Sequence, residues 1–367
     1  LIARYLPALT SQDLDVLTQG AMFMTEQGAG SDVANTAVLA RENDDGTWAL
    51  TGDKWFCSNA DAELAMVLAR REGGPSGLKG VSLFLLPRRL PDGTANSYRI
   101  VRIKEKLGTR DMASGEIALN GATAWLVGDP GAGFRQMADM VNNSRLSNGV
   151  RAAGLMRRAT TEALFIAHRR IAFGRRLAGM PLMRRQLAKM LVWTEQARSM
   201  VFTTAEALRR SDAGEEDAYA LLRILTPLIK FRACRDARKV TGDAMEVRGG
   251  CGYIEEFSDA RLVRDAHLGS IWEGTSNIVA LAALDRAMAL AEAALDDPAL
   301  ARQAASALYH VTSAAALSWE AERGGMPHRL ALARMALRHR VLPRDPLDAE
   351  DPDGATLPDL LPDPEPA

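Results

Sequence analysis

The sequence is poor in the residues that build covalent or metal frameworks. Of its 367 residues, only three are cysteine and five histidine. Cys57, Cys234 and Cys251 show neither metal-ligand spacing nor a disulfide pattern, which fits a reducing compartment. His168, His267, His310, His328 and His339 are scattered, which argues against a histidine-built metal site. Long apolar runs are missing as well. None reaches the roughly 20 residues that a membrane-spanning helix needs. No signal-peptide pattern opens the residues given, so the cytoplasm is the expected compartment and no membrane partner is expected. Neither sign of charge dominates. The net charge of −1 argues against a protein devoted to nucleic acid, although a local basic patch remains compatible with it.

What is present is ordinary globular material. Apolar residues make up 47% and charged residues 25%, so the chain can bury a large core and fill two or three domains. Residues 1–20 read as a short helical piece. From 21 to about 134 the pattern is one of short alternating runs, such as Thr47-Trp-Ala-Leu-Thr51 and Val81-Ser-Leu-Phe-Leu-Leu86. Turn clusters such as Asn43-Asp-Asp-Gly46 and Pro91-Asp-Gly93 separate them, which predicts an antiparallel β domain. From 135 the period becomes helical. Residues 135–171, 181–212, 215–247 and 276–323 predict four amphipathic helices in an antiparallel bundle ending near 325. The stretch 326–367 is expected to be a tail, disordered at its Pro- and Asp-rich end beyond Pro343.

Five motifs can carry chemistry, and each has a plainer explanation. Met24-Thr-Glu-Gln-Gly-Ala-Gly-Ser-Asp32 offers glycine backbone and hydroxyls to a ligand, or is a polar loop before a strand. Gly52-Asp-Lys-Trp-Phe-Cys-Ser-Asn59 offers an aromatic wall with a hydroxyl, or core aromatics on a strand. Arg169-Arg-Ile-Ala-Phe-Gly174 suits a pyrophosphate, or compensates the dipole at a helix C-terminus. Gly249-Gly-Cys-Gly-Tyr-Ile-Glu-Glu256 lets the chain pass close to a cofactor, or caps a helix. Ile271-Trp-Glu-Gly-Thr-Ser-Asn277 places Glu273 beside bulky apolar groups. Desolvation there raises a carboxylate's pKa towards that of a general base, and a helix-start Glu explains the position equally well.

Taken in order, the five resemble the acyl-CoA dehydrogenase family over roughly residues 20–290. That resemblance implies a mixed α and β fold: an antiparallel β-barrel domain at 21–134, then an all-α four-helix-bundle domain at 135–325. Residues 1–20 become the remnant of an N-terminal helical domain. Since the sequence opens at Leu1 without Met, roughly a hundred further residues are expected upstream. FAD is the implied cofactor. Met24, Thr25 and Ser31 would bind it from the first motif, and Phe56 and Ser58 would cover and contact its ring. Arg170, Phe173, Gly249 and Gly250 match elements that serve a neighbouring subunit's FAD, which implies a homodimer or homotetramer. Pro181 and Glu246 replace glutamines common in the family, so those two contacts are expected to be lost. Thr275 and Asn277 match FAD-binding positions after the base. Glu273 matches the catalytic glutamate that takes the α proton of an acyl-CoA thioester. Ser31, Arg145 and Gly274 are the implied substrate contacts.

The wording of Met24–Gly28, Lys54–Ser58, Leu86–Gly93, Gly154–Arg158 and Ser270–Gly274 is similar to the family's alkylation-response branch. Two functions follow. One is α,β-dehydrogenation of an acyl-CoA with an electron-transfer flavoprotein as acceptor. The alternative is a flavoprotein that binds DNA and dehydrogenates weakly. The Arg-rich stretch from Arg157 to Arg185 favours DNA, and the acidic end of the chain opposes it. An oxidase that passes electrons to oxygen is a third reading that sequence does not separate from the first.

Overall fold

Alternation of buried and exposed side chains sets the strands of the N-terminal half in the computed structural model, which describes residues 1–277, 297–342, 353, 354 and 356–361. The chain divides into two compact units, Leu1–Val141 and Asn142–Ala367.

The first unit opens with helix α1 (Ile2–Leu9) and continues through seven strands. They are β1 (Gly20–Phe23), β2 (Leu39–Glu42), β3 (Trp48–Ser58), β4 (Leu64–Arg71), β5 (Val81–Pro87), β6 (Tyr98–Ile103) and β7 (Ser114–Val127). The order β4-β2-β3-β7-β5 returns to β4, so five strands close a ring. β1 adds to β4, and β6 adds to β7. Most pairings are antiparallel, but β1 and β2 both run parallel to β4. A purely antiparallel expectation misses this, because strand direction depends on long-range chain routing. Closure buries side chains of every ring strand, on alternate positions in much of β3 and on all seven of β5. Leu50, Val67, Phe84, Leu86 and Ile117 are buried in one cluster, with Trp48 tilted against Phe84 at 5.4 Å. On the other face Leu68, Val81 and Leu83 pack with Met137 and Val141, from the first turns of helix α2 (Gly133–Arg169).

The second unit is helical. Beyond α2 it contains a small hairpin, β8 (Ile171–Ala172) with β9 (Arg175–Arg176). Then follow α3 (Pro181–Asp212), α4 (Ala218–Arg248), α5 (Ser258–Leu268), α6 (Ala301–Gly324), α7 (Pro327–Arg340) and the single turn α8 (Leu357–Leu360). The buried faces obey the helical period. Ala152, Met156, Ala159, Ala163 and Ala167 line one stripe of α2, and Ala233, Ala237, Val240, Ala244 and Val247 line one of α4. Small residues on facing stripes let backbones approach closely. A small-to-large change such as Ala237→Leu therefore overpacks, at about 1–3 kcal/mol.

Two sequence expectations need correction. The single helix expected over 276–323 does not run through: a separate 3-10 turn at Pro298–Leu300 precedes α6. Residues 278–296 of that stretch lie outside the described residues. The tail expected from 326 begins instead as α7, whose Ala331, Leu332, Ala333, Met335 and Ala336 are buried. Further along, Leu357 and Leu361 are also buried. The remainder of the expected tail, including most of the stretch expected to be disordered, lies outside the described residues.

Candidate active site

In the first unit, backbone pairing brings the first two motifs together. The Trp55 amide donates to the Thr25 carbonyl at 2.9 Å. Beneath this contact lies a buried ion pair that sequence reasoning missed. Lys54 Nζ meets Glu26 Oε1 at 2.6 Å, with the lysine side chain 0% and the glutamate 6% exposed. Lys54 Nζ also donates to the Met24 carbonyl at 3.2 Å, and Glu26 accepts the amides of Ala37 and Val38 at 2.6 and 3.3 Å. Burial pulls the Lys54 ammonium down, and Glu26 opposes that pull. The pair fixes the loop from both ends. Its one visible signal is that Glu26 and Lys54 each stand inside a motif.

Between Lys54 and Cys57 the register of β3 against β7 shifts. Such a bulge re-aims side chains. Phe56 emerges 54% exposed, edge-on to Trp55 at 6.5 Å. Lys104 Nζ lies 3.5 Å from the Trp55 ring centre and 4.8 Å from that of Phe56. Glu116 accepts from Lys104 at 2.5 Å and from Arg102 at 2.8 Å, and these bonds hold its carboxyl down at about 2. Ser58 is half-buried next to the exposed Phe56, and Ser31 is exposed.

A cleft of about 430 Å³ is lined by Gly28, Val38, Gly52, Lys54, Trp55 and Glu116, among others. A Cβ at Gly28 or Gly30 would meet nothing within 4 Å. Packing within the chain therefore demands neither glycine, and open space stands before the loop. Of the residues expected from sequence to hold an aromatic cofactor, Met24, Thr25, Ser31, Phe56 and Ser58, none lines that cleft; Phe56 and Ser31 are exposed beside the same loop and strand.

In the second unit, the end of α5 delivers Glu273. The amides of Ile271 and Trp272 both return to the Leu268 carbonyl, at 2.9 and 3.2 Å. Glu273 then adopts φ +54°, a left-handed conformation rare for a side chain of this size, and Gly274 follows at +97°. Glycine suits the second position because it has no Cβ to clash there. Arg145 donates Nε to the Glu273 carbonyl at 3.1 Å, and Lys230 donates Nζ to the Gly274 carbonyl. The Glu273 carboxyl has one oxygen, Oε2, buried and without a hydrogen-bond partner. Burial raises its proton affinity, against the smaller opposing pull of Arg145 and Lys230. Arg145 and Gly274 thus lie at the candidate base. Thr275 and Asn277 are exposed just after it.

The remaining candidates meet at another place in the same unit. Arg170 Nη1 donates to the Arg248 carbonyl at 3.1 Å. A Cβ on Gly249 would stand 3.1 Å from that Nη1, so the close approach favours glycine. Gly250 beside it is exposed. Arg170 does not simply end a helix, as the sequence suggested. It leads into the β8–β9 hairpin, whose turn residues Phe173 and Gly174 have φ of +51° and +74°. The turn leaves Phe173 96% exposed. Lys230 is the residue the sequence concealed. Its only signal is a charge inside the apolar run Leu228-Ile-Lys-Phe231.

Among the described residues, no cluster of three or more His, Cys, Asp or Glu can hold a metal. No described helix is long and apolar enough to cross a membrane.

Comparison with known proteins finds domains of one family in both halves of the chain. The acyl-CoA dehydrogenase middle domain matches residues 21–122, and the acyl-CoA dehydrogenase C-terminal domain matches residues 131–289. The putative acyl-CoA dehydrogenase AidB of Escherichia coli K12 is 39% identical over 260 residues, 71% of this chain and 47% of that protein. Acyl-CoA dehydrogenase family member 11 of Caenorhabditis elegans is 38% identical over 280 residues, 74% of this chain and 45% of that protein. The crystal structure of Caenorhabditis elegans ACDH-11 in complex with C11-CoA superposes with a TM-score of 0.85 at 29% identity, covering 92% of this chain and 67% of that one. The chain spans about half the length of the curated relatives it matches. With two domain profiles matched in order, the chain belongs to the acyl-CoA dehydrogenase family.

Proposed function

We propose that this chain is the flavin-binding and base-carrying part of an FAD-dependent acyl-CoA dehydrogenase. The observation that carries the reading is Glu273: a carboxyl with one buried, unpartnered oxygen, within an intact Trp272-Glu-Gly-Thr275 motif. The Caenorhabditis elegans structure is a complex with C11-CoA, and an acyl-CoA thioester is the ligand carried over here. Glu273 takes the α proton, and its desolvation makes it a stronger base than an exposed glutamate. FAD, when bound, would supply the acceptor for the hydride that leaves the β carbon, with an electron-transfer flavoprotein as the proposed onward acceptor. By family resemblance Met24, Thr25, Ser31, Phe56 and Ser58 would hold and cover the flavin. By family resemblance the Glu273 backbone amide polarises the thioester carbonyl as negative charge develops on it. Arg170, Phe173, Gly249 and Gly250 serve the cofactor of a second subunit, and Thr275 and Asn277 contact FAD beside the base. Arg145 and Gly274 support the substrate end.

Anaerobic addition of saturated acyl-CoAs to the full-length, FAD-loaded protein tests the reading. Bleaching of the flavin absorbance that disappears in Glu273→Gln is expected. A yellow protein that no chain length bleaches would overturn it.

A further inference from the structure

We infer that Lys230 is a positioning residue for the proton-abstraction step, gripping the turn that carries the base and setting the charge beside it. The inference rests on the reading of Glu273 as that base. Lys230 lies in the middle of α4 with 1% of its surface exposed. A lone ammonium in a helical core is costly, and sequence economy favours an apolar residue there. Its Nζ is spent on the Gly274 carbonyl, 44 residues away in sequence. Arg145 from α2 takes the preceding carbonyl, that of Glu273, at 3.1 Å. Two cations from two helices thus hold two successive carbonyl oxygens of one turn. That turn contains a non-glycine residue at φ +54°. Left to itself such a residue relaxes to the right-handed or extended region, since the left-handed region crowds the Cβ of any residue with a side chain. Relaxation would swing the carboxyl away from its buried position. The clamp over-determines the conformation that chemistry needs.

The same cation acts on the carboxyl through space. The charged and titratable groups that bear on Glu273 are Arg145 from α2 and Lys230 from α4, and both oppose the effect of burial. Lys230 in turn is pulled down to about 8, by burial first, with Cys234 and Glu273 opposing and Arg145 adding to the pull. Removing the ammonium removes one of the two groups that keep Glu273 ionised. A base that holds its proton more tightly is out of action over more of the acidic range. The loss of Lys230 therefore has two separable signatures. A loosened turn lowers kcat with little change in KM. A lost charge moves the acidic limb of the kcat/KM profile to higher pH.

The test uses the full-length holoenzyme with a saturated acyl-CoA that it turns over. Three variants are compared: Lys230→Met, Lys230→Arg and Glu273→Gln. For Lys230→Met the expected result is a kcat loss on the order of 100-fold, the scale of an ångström-sized misplacement. Its acidic limb moves upward, and it retains FAD absorbance. Lys230→Arg, which keeps the charge, is expected to hold the acidic limb at its wild-type position whatever its kcat. Should Lys230→Met fail to fold, the limb is read in Lys230→Gln, which keeps an amide donor without the charge. A folded Lys230→Met or Lys230→Gln with wild-type kcat and an unmoved limb would overturn the role of Lys230. An upward shift in Lys230→Arg equal to that in the neutral variants would overturn the charge component. Glu273→Gln separates the two levels: if it turns over at the wild-type rate, the reading of Glu273 as base fails, independently of Lys230.

Discussion

Glu273 sits where its ionisation works against the fold. Burial raises its carboxyl above the ordinary glutamate range, so the unfolded chain ionises at lower pH than the folded one. Below the ordinary range both states are protonated and the fold pays nothing for the carboxylate. As pH rises through the ordinary value towards the folded one, stability is lost, and it stays lost at neutral pH. Glu273→Gln is therefore expected to raise Tm at pH 7, with the gain vanishing near pH 4. Thermal melts of the two proteins across that range check it, and a gain that persisted at pH 4 would mean that packing and not ionisation is the cause. The trade is the familiar one in which a site gives up stability for chemistry. At the same scale Phe56 and Phe173 are apolar rings left outside, at 54% and 96% exposure. Neither contributes to the core of its own unit, so their conservative truncation should leave Tm almost unchanged.

At the scale of elements, helix α7 is anchored by a side chain that reads in sequence as a surface charge. Arg329 is 1% exposed and meets Glu195 of α3 at 3.1 Å and Glu320 of α6 at 2.8 Å. Arg329→Met is expected to destabilise the helical unit by roughly 3 kcal/mol, the lower end for breaking a buried pair. The lower end applies because Glu195 keeps Arg157 and Arg198 at 3.1 and 3.2 Å. Denaturant titration measures it, and a change under about 0.5 kcal/mol, the size expected of surface substitutions, would show the pair to be dispensable. This anchor explains why the stretch after 326 looked like tail. Its period is masked by arginines such as Arg329 and Arg340, whose partners Glu195 and Asp236 lie on α3 and α4. Helix α3 was legible for the opposite reason: Pro181 opens it, and one helix runs from there to Asp212. The β8–β9 hairpin was not legible, because two-residue strands carry no period. The parallel placement of β1 and β2 on β4 was hidden by chain routing that no local run encodes. At the site, Arg145 and Glu273 were each visible as residues, and so were Arg170 and Gly249. That each pair touches was not visible, since those contacts exist only once the helices pack.

For the whole molecule, charge is nearly balanced, at −1 over 367 residues. In the arginine-rich stretch that suggested DNA, two guanidinium charges meet carboxylates within the chain. Arg157 pairs with Glu195, Arg158 with Glu162, and Arg176 and Arg184 donate to the carbonyls of His168 and Leu361. Duplex DNA binding by this chain is accordingly expected to be undetectable at about 50 mM salt. An anisotropy titration checks it. Binding that falls steeply with log salt would restore the alternative, because each phosphate neutralised adds about 0.9 to the slope.

The closed ring of β4, β2, β3, β7 and β5 has one more consequence. A barrel has no hem along which another strand can be sewn, so ring strands are protected from intermolecular pairing. Growth is possible only where extra strands hang on the outside. β6 is such a strand, and it carries Ile100, Val101 and Ile103 facing outward at 37%, 46% and 51% exposure. When the protein is concentrated, association between molecules is expected to begin at such an outer strand before it touches the ring.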